Sequence, residues 1–94
     1  MIERDGNQLR VRGALTIASV TAMCEAGKQH FGDGDLVVDL AEVTEVDSAA
    51  LSLLFEWRRA AREKNLQIAF RNLPESLQSL AALYGLSDLV AADA

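Results

Sequence analysis

The stretch from Asp35 to Leu54, DLVVDLAEVTEVDSAALSLL, changes its hydrophobic period partway along, and that change constrains how the flanking chain can fold. Leu36, Val37, Val38 and Leu40 make a short apolar, β-branched run of the kind found in a strand covered on both faces. From Ala49 onward the spacing is helical. The change falls at Asp47-Ser48, two residue types that favour an N-cap because a side-chain oxygen accepts from one of the first unpaired amides of a helix. The segment therefore predicts a buried strand, a loop rich in carboxylates (Asp39, Glu42, Glu45, Asp47) and a helix that starts beside a small hydroxyl, Ser48.

The rest of the chain supplies neighbours for that unit. Asp5-Gly6-Asn7 is turn chemistry, and Leu9 and Val11 alternate with Gln8, Arg10 and Arg12, which predicts a hairpin with one wet face. Gly13-Ala14-Leu15-Thr16 leads into a first helix over roughly 18–31, with an apolar stripe at Val20, Cys24, Gly27 and Phe31. Gly32-Asp33-Gly34 then turns the chain into the central strand.

The second helix, about 49–64, gathers Ala50, Leu53, Leu54, Trp57, Ala60 and Ala61 on one side. Ser52, Glu56, Arg59 and Glu63 lie opposite, with Glu56/Arg59 and Arg59/Glu63 spaced to pair. Phe55 falls about 140° from the centre of the apolar arc, flanked by Leu51, Arg59 and Arg62, on the strip onto which Ser48 also projects. It is either an anchor for a partner or a side chain covered by a neighbouring loop or helix. Asn65 ends the helix, and Leu66, Ile68 and Phe70 mark a fourth strand. Pro74 suits the first position of a third helix that turns Leu77, Leu80, Ala81 and Tyr84 inward. Gly85-Leu86 reads as its cap, and a short turn over 87–90 follows. The order β-β-α-β-α-β-α-α predicts one α/β domain over 1–94, a mixed four-stranded sheet flanked by three to four helices.

Composition narrows the function. Fourteen acidic against nine basic residues give a net charge of −5, the wrong sign for neutralising a nucleic-acid backbone, so a partner with a basic patch is expected. The single Cys24 excludes an internal disulfide and reads as a small core residue, and His30 has no second ligand at metal spacing. MIERDGNQLR is charged where the apolar core of a signal peptide would stand, and no apolar run approaches the ~18 residues of a membrane span, so a cytoplasmic domain without direct membrane insertion is expected. There is no glycine-rich phosphate loop, no metal-ligand cluster and no histidine placed to activate Ser48. The expectation is a protein that is not an enzyme, with no catalytic residues, metal or cofactor.

Gly13-Ala14-Leu15-Thr16, LVVDLAEVTEVDSAALSLL and LPESLQSLAALYGLSDLV together resemble the STAS domain family, the fold of sulphate-transporter domains and anti-sigma-factor antagonists, over nearly the whole chain. In antagonists of that family the residue after the loop aspartate is phosphorylated, and the matching position is Ser48. Antagonists usually follow it with a small or hydroxyl residue and Gly-Leu-Gly; Ala49-Ala50-Leu51-Ser52 stands here without either glycine, and Thr16 stands where many members carry aspartate. The closing LAALYGLSDLV looks most like the STAS subunit of the bacterial Mla phospholipid-transport ABC system. That resemblance implies a cytoplasmic, inner-membrane-peripheral subunit that docks on the transporter ATPase and supports outer-membrane lipid asymmetry. The alternative it implies is an anti-sigma factor antagonist that binds a serine kinase and is controlled at Ser48. In either case the expected partner surface is Ser48, Leu51, Ser52, Phe55 and Arg59.

Overall fold

The computed structural model describes residues 1–32 and 34–86. In chain order they form β1 (Ile2–Asp5), β2 (Gln8–Leu15), α1 (Val20–Lys28), β3 (Leu36–Val46), α2 (Ser48–Glu63), β4 (Ile68–Arg71) and α3 (Glu75–Leu83). The sheet order is β1-β2-β3-β4. β1 and β2 are an antiparallel hairpin, while β2/β3 and β3/β4 are parallel pairs joined through α1 and α2. The expected mixed α/β sheet is therefore present, and the turn over 87–90 lies outside the described residues.

One expectation about the sheet is wrong. Leu9, Val11, Leu36, Val38, Leu40, Ile68 and Phe70 are buried, but the residues that alternate with them, among them Gln8, Arg10, Val37, Asp39 and Ala69, are only half-buried. The sheet is covered on one face, not two. Crossover connections of one hand that step across a sheet in one direction deposit their helices on the same side. Accordingly α2 packs between α1 and α3. The open face is lined with polar and charged groups that pair with one another. Arg10 pairs with Asp5 at 3.2 Å, Arg12 with Glu3 at 2.9 Å and Glu42 at 3.3 Å, and Gln8 donates to Asp39 at 3.0 Å.

A second correction concerns the carboxylate loop, because β3 runs without interruption to Val46 and only Asp47 separates it from α2. Its pairing with β2 slips twice, between Arg10 and Arg12 and again between Gly13 and Ala14, where β3 accommodates an extra residue each time. Such bulges re-aim the following side chains. The inward set thus becomes Leu36, Val38, Leu40, Val43 and Val46, so the spacing lengthens from two residues to three.

Helix ends differ from expectation for local reasons. The first helix is shorter than 18–31, because the Ser19 hydroxyl donates to the Ala14 carbonyl at 2.7 Å and accepts from the Thr16 amide at 3.1 Å, which holds residues 16–19 as a loop. Beyond Lys28 the chain tightens into short turns, His30 N–H to Gly27 and Phe31 N–H to Lys28, that still bury Phe31. Met23, absent from the predicted stripe, is buried, while Val20 and Cys24 sit at the margin of the core. Pro74 occupies the cap position, one residue before the expected place.

α2 and α3 end alike. A left-handed residue (Asn65, φ 59°; Gly85, φ 71°) lets the next amide reach back, Leu66 to Ala61 at 2.9 Å and Leu86 to Ala81 at 2.7 Å. Leu86 thereby turns toward the core, and Tyr84, expected inside, is left 56% exposed.

Candidate functional site

The C-terminal end of β3 delivers the chain directly into α2, and Asp47 at the junction holds three pieces of backbone together. Its Oδ1 accepts from the Ala49 amide at 2.8 Å, which makes Asp47, rather than Ser48, the N-cap. Its Oδ2 accepts from the Ile17 amide in the β2–α1 loop at 3.0 Å, and its own N–H donates to Leu15 at 3.3 Å. Ser48 is the first residue of α2 and is exposed.

From Ser48 a groove of about 320 Å³ runs along α2 toward the end of α3, lined by Ser48, Leu51, Ser52, Phe55, Tyr84 and Leu86. Four of the five residues expected to form a partner surface are therefore together. Leu51 forms the floor and is only 4% exposed, so it shapes the groove rather than projecting from it. Phe55 is 44% exposed, and of the two fates open to it the isolated domain shows the uncovered one.

Arg59 is not in the lining. Its guanidinium pairs with Glu56 at 2.6 Å and with Glu63, and Glu56 also receives Lys28 Nζ from α1 at 2.6 Å. Hydrogen bonds from Arg59 and then Lys28 pull the Glu56 carboxyl down to about 2 and raise both cations. This network stitches α1 to α2 on the flank away from Tyr84.

The expected carboxylates do not cluster around Ser48. Burial alone would raise the Asp39 carboxyl, but the Ala41 amide, Asn72 and the nearby Arg71 and Arg10 outweigh it and hold the group below its usual value, on the open sheet face. Glu42 pairs with Arg12, which leaves Glu45, exposed, and Asp47 at the Ser48 end. Burial raises the Cys24 thiol, as suits a packing residue. His30 contributes its carbonyl, which accepts from Arg4 at 2.8 Å. Among the described residues no group of three or more His, Cys, Asp or Glu is placed to hold a metal ion, and no helix is long and apolar enough to cross a membrane.

A larger cleft, about 570 Å³, lies at the opposite end of the sheet between the starts of β3 and β4 and the last turns of α2, with Asn7, Asp35, Arg58, Arg62 and Gln67 on its walls. Asp35 is engaged there by the Gln67 amide, and Arg58 lies 5.4 Å over the Phe70 ring.

Sequence reasoning missed Tyr84 and Leu86 in the groove, although the Gly85-Leu86 signal that turns the chain there was present. It also missed Ile17, whose link to Asp47 has no signature in spacing.

A sequence model of the family described as "Mlab, STAS domain" matches residues 1–91. No curated protein sequence matches. Among solved structures, the anti-sigma factor antagonist SpoIIAA in its unphosphorylated form is similar with a TM-score of 0.75 and 12% identity, over 96% of this chain and 84% of that one. Two crystal structures of Mglu, one of them the native form, are similar with TM-scores of 0.61 and 0.59 and identities of 22% and 18%. They match 80% and 79% of this chain, which spans only 19% and 22% of Mglu. At these identities the likeness is one of fold.

Proposed function

The chain belongs to the STAS domain family, and from that premise we propose that it is a non-catalytic subunit that docks on the ATPase of an ABC transporter. The transporter moves phospholipids between inner and outer membranes and so maintains outer-membrane lipid asymmetry; the subunit sits on the cytoplasmic side, peripheral to the inner membrane through its partner. The observation that carries this reading is the groove beside Ser48, whose lining among the described residues holds no charge and keeps two aromatic side chains, Phe55 and Tyr84, partly in water. Paired exposed aromatics over an apolar floor suit the anchor pocket of a protein interface. The family description, Mlab, supports the choice of transporter. We assign the domain no metal, cofactor or nucleic-acid partner.

A second reading has its own support in the likeness to SpoIIAA and in the exposed Ser48 hydroxyl: an anti-sigma factor antagonist that binds a serine kinase and is switched by phosphorylation. Phosphate at Ser48 would add about −1.5 to −2 charges beside the Asp47 carboxylate. Ala50 and Ser52 stand where antagonists carry the two glycines that follow the phosphorylated residue, and the absence of those glycines favours the transporter.

Co-purification with the ATPase subunit tests the reading. Ser48→Glu places charge in the groove and abolishes binding with little change in Tm, and Ser48→Ala is mild. Phe55→Ala weakens binding by ~2 kcal/mol or more, the scale of a central aromatic anchor. Full binding by both Ser48→Glu and Phe55→Ala would move the interface to another face.

A further inference from the structure

Ile17 is β-branched and apolar, yet 77% exposed, and it belongs to a loop whose backbone is held by several hydrogen bonds. Its amide is bound by Asp47 Oδ2, the preceding Thr16 amide by the Ser19 hydroxyl, and the Thr16 carbonyl accepts from the Ser19 and Val20 amides at 2.9 and 2.8 Å. Isolated exposed apolar side chains are ordinary and mean little. What separates Ile17 from exposed Met1 or Leu83 is that the residue fixing its backbone also caps α2 and immediately precedes Ser48. A backbone held in place before binding leaves less to immobilise when its side chain docks.

We propose that the docking surface continues from the groove across Asp47 onto Ile17, with Asp47 as the positioning residue that holds both parts in one surface. The inference rests on the docking reading and commits its occupant: a segment of the ATPase subunit with an apolar face and basic flanks. Charge decides for such a partner and against a second copy of this chain. Among the described residues the groove lining has no cation and the charges beside Ser48 are the carboxylates of Glu45 and Asp47, and the chain is acidic as a whole, so two copies would bring like charges together.

Asp47 has one carboxylate oxygen for each of two amides. Asparagine has a single accepting oxygen, so Asp47→Asn keeps one of the two contacts, and asparagine caps helices as well as aspartate does. The test is binding of the purified ATPase subunit, by calorimetry, to the wild type, Ile17→Ala, Asp47→Asn, the double variant and Phe55→Ala, with Tm measured for each.

Ile17→Ala and Asp47→Asn each weaken binding about tenfold with the fold retained, on the scale of an interface contact. Because Asp47 acts through Ile17, the Ile17→Ala effect largely disappears in the Asp47→Asn background, the coupling expected of linked sites. If the two effects multiply in the double variant, Asp47 does not position Ile17 and the proposal fails. If Ile17→Ala binds as the wild type while Phe55→Ala does not, the surface ends at the groove and the docking reading alone survives. Full binding by Phe55→Ala as well as Ile17→Ala removes both.

Discussion

Trp57 and Phe55 stand two residues apart on the same helix and have opposite fates. Toward α1, Trp57 is fully buried, its indole N–H donates to the Cys24 carbonyl at 3.1 Å, and Phe31 meets it edge-on with ring centroids 6.5 Å apart. Toward α3, Phe55 and Tyr84 stay partly in water around a groove. The difference comes from the neighbouring helix. α1 presents Gly27, and with no Cβ there the indole lies directly against the helix backbone. α3 stops at Leu83, so its last turn flanks Phe55 without covering it. One flank of α2 is closed for stability, and the other is left open.

The largest effect is expected on the closed flank. Trp57→Ala removes the biggest buried side chain and leaves a cavity lined by α1 and the core, at a cost of ~3–5 kcal/mol. That is a large fraction of the ~5–15 kcal/mol by which domains are stable. A near-normal denaturant midpoint with an unchanged slope would mean that the two flanks are not different in kind.

Next comes Gly27→Ala, which places a methyl group inside the contact radius of three indole atoms of Trp57. In an exposed helix the same change would stabilise by up to ~1 kcal/mol. Here the indole is packed on all sides, and overpacking of this kind costs roughly 1–3 kcal/mol. Chemical denaturation gives the sign directly, and a stabilised variant would show that the seam can open.

How far this contrast was legible in the sequence depends on the element. The face of α2 that carries Ala50, Leu53, Leu54 and Trp57 follows from a simple 3.6-residue period, because a regular helix maps sequence onto direction without ambiguity. The end of β3 does not follow. Two bulges spread its inward residues to Leu40, Val43 and Val46, a spacing that matches neither strand nor helix and so reads as loop. Leu51 and Tyr84 were misplaced for a related reason: whether a flank residue is covered depends on where the next helix stops. Arg59 pairs with Glu56 and Glu63 as its spacing predicts, but the spacing does not tell that these pairs draw the guanidinium out of the groove lining. The Asp47–Ile17 link spans thirty positions and involves a backbone amide, which leaves no residue pattern to read.

Phe55→Ala separates the flanks from the other direction. Phe55 already has 44% of its surface in water and leaves little cavity, so the expected loss of stability is under ~1 kcal/mol, within the range of surface changes and far below that of Trp57. Its effect falls on binding instead. Equal destabilisation by the two aromatic truncations would erase the distinction between a structural and an interaction flank.

The smallest effect belongs to Glu56, which ties Lys28 of α1 and Arg59 of α2 across the closed flank. Exposed ion pairs contribute little, because solvent and salt screen them, so Glu56→Gln lowers Tm only slightly and the difference shrinks in high salt. The pH dependence is more informative than the size. In the folded protein the Glu56 carboxyl titrates at about 2 instead of near 4.5, so folding favours the charged form. A depressed carboxyl contributes its stability in full above the unfolded value and loses it as pH falls through the folded one. The gap in Tm between wild type and Glu56→Gln is therefore steady at neutral pH, narrows from about 4.5 downward and closes near 2. Thermal melts of the two proteins across that range check it. A gap that persists unchanged at pH 2 would mean that the glutamate acts by packing rather than by charge, and that the α1–α2 seam is held by Trp57 and Gly27 alone.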